Sequence, residues 1–442
     1  MRNILNFIKS NLSKYIGQSR YKKNILILVG GRVLAQGIPI LLTPIFTRIY
    51  SPEEYGVFAV YSTIISIIAM ISNGRYCLAI MLPKEEKEAR GMVLISMILP
   101  FVVSIFSLII LLIFNSEIFA LLNVAILSKY IWLIVGNILF IALYEALFYY
   151  ELRQKHYKIL SRNAIIQAFV LVSTRLLLGF TGFTEVGLGI SYFLSYVFPF
   201  ILLSINIFNR GDFNFQEINR NSLKKLLGQF SNFPKYTLWA DSLQMVAQLS
   251  PNIFLNKIFG SITTGYYSMS DKILGSPIWL ITASIGDVFK QEASEQYRKD
   301  GNCHNVFMKT SKALFFIGII PFILIYIFLP SIITFILGSN WAPVGEYIRI
   351  LSLMYFARFV VGPVSYVVNI VGKNKIDILF QSLKFIAIII SFVMGFYYKN
   401  LTIGLILWSL LTTLAYVVIY LVSNNLAKTS IYDNKTENNF SE

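Results

Sequence analysis

Apolar residues along this chain come in runs of about twenty, parted by short polar stretches, and a run of ~20 is what a helix needs to cross a bilayer. Twelve such runs are legible, roughly 25–49, 57–82, 92–114, 130–150, 159–180 and 187–208, then 236–258, 266–289, 310–335, 347–370, 378–398 and 403–423. The pattern predicts two six-helix lobes, 25–208 and 236–423, joined by a basic linker over 209–235. Ahead of them, Ile4, Leu5, Ile8, Leu12, Tyr15 and Ile16 share one helical face opposite Lys9, Lys14 and Arg20. Residues 1–24 therefore read as an amphipathic helix lying on the inner leaflet. They do not read as a cleavable signal peptide, because the apolar run that follows is too long and no small-x-small site appears. The Asn-rich tail over 424–442 is expected to be disordered.

Composition turns this pattern into a fold class. Of 442 residues, 56% are hydrophobic and only 14% charged, against roughly 25% charged in a soluble domain. So few charges cannot cover an ordinary water-facing surface, and the expectation is an all-α polytopic membrane protein. A net charge of +16 in a soluble chain would suggest nucleic acid, but here its placement gives it another meaning. With the N-terminus inside, the inner segments hold 27 Lys and Arg, and the outer ones hold five: Arg48, Lys129, Lys257, Arg349 and Lys399. The positive-inside rule then puts both termini in the cytoplasm, and no nucleic-acid partner is called for.

An internal repeat organises the two groups. Arg48-Ile49-Tyr50 follows the first span and Lys257-Ile258-Phe259 the seventh; Gly56-Val57-Phe58 and Gly265-Tyr266-Tyr267 come next, always 209 residues apart. Six spans separate the copies, so the repeat is parallel. Transporters built this way hold substrate between their halves near the bilayer midplane.

Few chemistries remain open. Cys77 and Cys303 suggest no disulfide framework, and His156 and His304 lie far apart in basic loops. No metal-ligand spacing and no Gly-Lys-Ser/Thr phosphate loop appears, so neither a metal, a cofactor nor an ATPase motor is expected. The informative residues are charges inside the spans, each costing at least ~2.5–3.5 kcal/mol at the bilayer centre unless paired or watered. They are Arg32, Arg75, Arg175, Lys272, Arg358 and Lys384, with the acids Glu145, Asp241, Asp271 and Asp287. Arg32 and Arg75 lie ~10 Å below the inner boundary, at 1.5 Å per helical residue, and with Arg175, Lys272 and Arg358 they form a ladder of cations suited to an anionic substrate. Lys384 reads as a snorkelling lysine, Asp287 as interfacial, and the Asp271–Lys272 neighbours as either a cavity pair or a local structural network. The repeat offset maps Arg32 onto Asp241, which makes that pair a candidate inner gate; pairing of Arg32 with Glu145 inside its own lobe is the alternative. Prolines 39, 44, 277, 321, 330 and 363 interrupt spans. Tyr50, Tyr55, Tyr130, Trp132, Tyr266, Tyr267, Trp341, Tyr347, Tyr397 and Tyr398 at the outer ends read as an aromatic belt.

Ser51-Pro-Glu-Glu-Tyr-Gly56, Arg75-Tyr76, Ala79-Ile-Met-Leu-Pro-Lys84 and Ala89 together resemble the N-terminal signature of bacterial polysaccharide biosynthesis proteins. These are the Wzx-type O-antigen or capsule repeat-unit flippases of the multidrug/oligosaccharidyl-lipid/polysaccharide exporter superfamily. Phe233-Pro-Lys-Tyr236, Phe259-Gly260, Gly265-Tyr-Tyr267, Pro277, Val288-Phe289 and Gly338-Ser-Asn-Trp341 extend the likeness over roughly 25–425. The resemblance implies two six-helix bundles in a V around a cationic central cavity. It also implies an undecaprenyl-pyrophosphate-linked oligosaccharide substrate, flipped across the inner membrane among membrane lipids and passed to a polysaccharide polymerase and chain-length regulator. A cation-coupled multidrug exporter of the same superfamily is the alternative. An enzyme such as a polymerase or ligase is disfavoured by the short outer loops.

Overall fold

The computed structural model describes residues 20–211 and 219–429, so most of the amphipathic helix expected over 1–24 and most of the tail lie outside the described residues. Within them the regular structure is helical. The first half comprises α1 (Arg20–Leu41), α2 (Thr43–Ile49), α3 (Pro52–Ser72), α4 (Tyr76–Ala79), α5 (Glu86–Leu121), α6 (Ile131–Arg153), α7 (Tyr157–Phe180) and α8 (Thr184–Asn209). After α9 (Arg220–Gln229) and a π-helical turn, Phe233–Thr237, come α10 (Leu238–Phe259), α11 (Ser261–Asp300), α12 (His304–Leu337), α13 (Pro343–Val361), α14 (Val367–Ile370), α15 (Asn374–Tyr397) and α16 (Leu401–Lys428).

All twelve predicted runs are helical over most of their length. Among the described residues, eight helices are long and apolar enough to cross a membrane, and Ser339–Val361 with Val364–Ile370, bent by 48°, makes a ninth span. The helices α10 and α11 fall outside that set because they carry polar groups, Asp241, Gln244, Gln248 and Asn252 on the first and Asp271 and Lys272 on the second, and α1 carries Arg32 and Gln36. Such residues are tolerated at membrane depth where they face protein or water rather than lipid. Where α1 ends, Pro39 cannot serve the ladder, and the Thr43 hydroxyl donates to the Pro39 carbonyl at 2.9 Å.

Contacts divide the chain into two compact units. One gathers the chain up to Thr43, Ile65–Asn115 and Lys129–Trp239; the other gathers Pro44–Ile64, Ser116–Ser128 and the chain from Ala240 onward. The second unit explains the Ser51–Gly56 signature. Ser51 caps α3 reciprocally with Glu54: Glu54 N donates to Ser51 Oγ at 3.2 Å and Ser51 N to Glu54 Oε2 at 2.7 Å. This is a capping box, with Pro52 at the first helical position where no N–H is needed. One turn on, Gly56 meets Gly265 of α11. A Cβ on Gly56 would sit 1.7 Å from the Ser261 carbonyl oxygen, and one on Gly265 would sit 1.8 Å from that of Pro52. Ser261 is Pro52 displaced by 209, so the sequence repeat is realised here as a self-complementary contact between equivalent backbones.

The same region corrects the aromatic belt. Tyr50, Tyr55, Trp341 and Tyr347 are buried, and Tyr55 and Tyr266 both meet Trp341 edge-on, at 5.3 and 6.2 Å between centroids. The Trp341 indole N–H donates to the Thr47 carbonyl at 2.9 Å. Here the rings form core; Trp132, Tyr397 and Tyr398 remain exposed as a belt requires.

Candidate functional site

In the first unit the second predicted span does not run through. Helix α3 ends at Ser72, and the chain turns at Asn73-Gly74-Arg75 before α4. Gly74 and Arg75 both take left-handed backbone angles, φ 58° and 59°, which a glycine adopts readily and an arginine resists. The turn is held by the fully buried Asn73. Its Oδ1 accepts from Arg75 N at 3.0 Å, and its Nδ2 donates to Glu145 Oε2 at 2.9 Å. Glu145, on α6, also receives Arg75 Nη1 at 3.4 Å. The Arg75 and Glu145 side chains keep 17% and 26% of their surface open, so this pair is not sealed in the core.

Arg32 stands nearby on α1. Its neighbour Gly31 presses against α7, where a Cβ would fall 2.0 Å from Ser161 Oγ. The tight seat of Gly31 turns the next residue outward, and Arg32 is exposed with its guanidinium 5.1 Å from the Phe148 ring centre. Phe148 follows Glu145 by one turn of α6, so both guanidinium groups meet the same stretch of that helix. This unit thus presents two guanidinium groups against one carboxylate beside the turn that ends α3, and charges that line a shared cavity are how membrane transporters mark substrate and ion sites. Arg175 serves differently: it is buried between α7 and α8, its Nε donating to Ser191 Oγ at 3.3 Å.

The second unit holds a cavity of about 550 Å³ between α10, α11, α13, α15 and α16. Arg358 and Asp271 line it. Tyr355 donates its hydroxyl to Asp271 Oδ1, and Gly275, one turn along α11, leaves room for both: a Cβ there would lie 2.7 Å from Asp271 Oδ1. Lys272 is the sequence neighbour of Asp271, yet it lies over Phe46 and Tyr55, 5.9 and 6.0 Å from their ring centres. The successive residues of α11 therefore serve the cavity and the packed aromatic cluster respectively. Lys384 lines the cavity with its ammonium 4.7 Å from the centre of the Phe380 ring, one turn nearer the start of α15, a cation–π seat. Asp241 sits in the first turn of α10, while Arg32 belongs to the other unit.

Sequence reasoning selected the charges and passed over the neutral groups that position them. Asn73, Tyr355 and the glutamines of α10 were not singled out. The Asn73-Gly74 dipeptide was the available signal for the break, and Gln244 and Gln248, one helical turn apart, were the signal for a polar face on α10.

A family model described as polysaccharide biosynthesis protein matches residues 45–346. No curated protein sequence matches the chain. Solved structures of similar fold include the lipid II flippase MurJ in an inward closed conformation, with TM-score 0.70 at 14% identity over 93% of this chain and 88% of that one. A MOP superfamily transporter from Pyrococcus furiosus, described with a binding pocket of reversed polarity, gives 0.62 at 15% identity, covering 92% and 97%. An inward-facing multidrug resistance transporter of the MATE family gives 0.60 at 15%, covering 91% and 96%. At these identities the likeness establishes the fold. The family match spans well over half of the sequence, and the chain, a multi-pass α-helical membrane protein, belongs to the polysaccharide biosynthesis protein family.

Proposed function

We propose that the protein is a flippase that carries an undecaprenyl-pyrophosphate-linked oligosaccharide from the cytoplasmic to the periplasmic leaflet of the inner membrane by alternating access, for O-antigen or capsular polysaccharide assembly. The observation that carries this reading is the turn that ends α3, which holds Arg75 beside Glu145 and Asn73, with Arg32 over Phe148 one turn along the helix of Glu145. The planar guanidinium matches phosphate oxygens two at a time, and an excess of cation over carboxylate favours a diphosphate. No covalent step is required of the protein: the apolar tail stays in the bilayer while the charged headgroup crosses. Family membership supplies the polysaccharide context, and the basic segments, read by the positive-inside rule, put both termini in the cytoplasm.

Deletion of the gene tests the reading. The deletion strain is expected to lack surface polysaccharide and to accumulate lipid-linked units on the inner leaflet. Arg32→Ala and Arg75→Ala are expected to leave protein levels unchanged and fail to restore export. Normal surface polysaccharide combined with drug hypersensitivity would instead identify a multidrug exporter.

A further inference from the structure

The diphosphate reading uses the first unit and leaves the cavity of the second without a role. That cavity, about 550 Å³, falls within the ~300–1,000 Å³ of small-molecule sites. Its charges are internally matched. Three carboxylates, Asp271, Asp287 and Asp377, face three cations, Lys290, Arg358 and Lys384. Asp287 receives Lys290 at 3.2 Å, Asp377 receives Gln381 Nε2 at 3.3 Å, and Asp271 receives the Tyr355 hydroxyl. Such a site selects neither an anion nor a cation. What it offers instead is neutral hydrogen bonding beside a flat apolar face. Gln244 and Gln248 present exposed amides on α10. Trp279 lines the wall with 46% of its surface open. Thr412, 5% exposed, lines the cavity with a buried hydroxyl that has no hydrogen-bond partner among the described residues.

A pyranose has the complementary surface. Its ring carries an apolar C–H face that lies against an indole, and its equatorial hydroxyls both donate and accept, which suits planar amides and carboxylates. We infer that this cavity is the subsite for the uncharged sugars of the substrate headgroup, separate from the cations of the first unit. The inference rests on the flippase reading. Trp279 is the stacking platform, Gln244 and Gln248 bind hydroxyls, and Thr412 supplies a hydroxyl partner at the cavity wall.

The probe is the water-soluble oligosaccharide that mild acid releases from the lipid-linked fraction of the deletion strain. Binding to the full-length protein in nanodiscs is followed by saturation-transfer NMR and by tryptophan fluorescence. Wild-type protein is expected to bind it, and excess inorganic pyrophosphate to leave binding intact. Trp279→Ala and Gln248→Ala are each expected to weaken binding about tenfold, as a loss of about 1.4 kcal/mol would. Trp279→Phe, which keeps an aromatic face, is expected to retain most of it, and Thr412→Ser to bind better than Thr412→Val. Binding that ignores Trp279→Ala and Gln248→Ala, binding that pyrophosphate displaces, or no binding at all overturns the sugar subsite and leaves the flippase reading standing. A deletion strain that accumulates no lipid-linked oligosaccharide removes both.

Discussion

Arg75 is held in a backbone region that costs a non-glycine residue ~1–2 kcal/mol, at φ 59°. Strain of this kind persists only where the surroundings impose it, and Asn73 and Glu145 do so here. Replacement separates backbone from side chain. Arg75→Ala keeps the strain and loses the ion pair, whereas Arg75→Gly relieves the strain and loses the same pair. The glycine variant is therefore expected to be more stable than the alanine variant by about 1 kcal/mol in thermal unfolding, with neither restoring glycan export. An alanine variant as stable as the glycine one would show that the left-handed turn is not adopted. A second residue-scale test concerns Cys303, at the start of α12. Burial pushes its thiol up to about 11, so near pH 8 only about one molecule in a thousand carries the reactive thiolate. Maleimide labelling of Cys303 in the folded protein is expected to be very slow at pH 8, to quicken as pH rises toward 11, and to become fast on denaturation. Rapid labelling of the native protein at pH 8 would contradict the burial.

At the scale of elements, the crossing of α3 and α11 depends on two glycines. Each added Cβ would fall within 2 Å of a carbonyl oxygen of the opposite helix's first turn, and backbone at both ends of the contact cannot yield as a flexible side chain could. Gly56→Ala and Gly265→Ala are each expected to destabilise at the upper end of the ~1–3 kcal/mol of overpacking, or beyond. Gly37→Ala on α1, where nothing lies within 4 Å, is expected to leave stability unchanged or slightly raised. Equal melting of all three proteins would refute the close approach. This contact also shows what the sequence made legible. The 209-residue offset identified both glycines as equivalent, and the apolar runs placed all twelve helical stretches, because period and hydropathy are local properties of the chain. The break at Asn73 was missed because a long apolar run masked a two-residue turn signal. The roles of the intramembrane charges were only partly legible. Burial of Arg175 and the stacking of Lys272 on Phe46 and Tyr55 depend on neighbours remote in sequence, which no run of residues announces.

Across the whole molecule, the net charge of +16 divides unevenly: the basic segments carry +14, the segments at the opposite helix ends sum to zero, and the spans hold +2. Nearly all of the imbalance is therefore a statement about topology, since a cytoplasmic excess of Lys and Arg fixes orientation during insertion. The small remainder, six cations against four acids in the spans, is left for function. Orientation can be read with single cysteines, because the native Cys77 and Cys303 are free and buried and add little background. Thr402 is exposed at the start of α16, in a segment that the positive-inside rule puts outside, and Lys299 is exposed near the end of α11, in a basic segment that it puts inside. An impermeant maleimide added to spheroplasts is expected to label Thr402→Cys and to spare Lys299→Cys until the membrane is permeabilised. The opposite pattern would invert the topology and, with it, place Arg32 and Arg75 near the leaflet that receives the substrate instead of the one that supplies it. Because the proposed flippase takes its substrate from the cytoplasmic leaflet, where these arginines would meet the diphosphate, this experiment tests the proposed mechanism as well as the map.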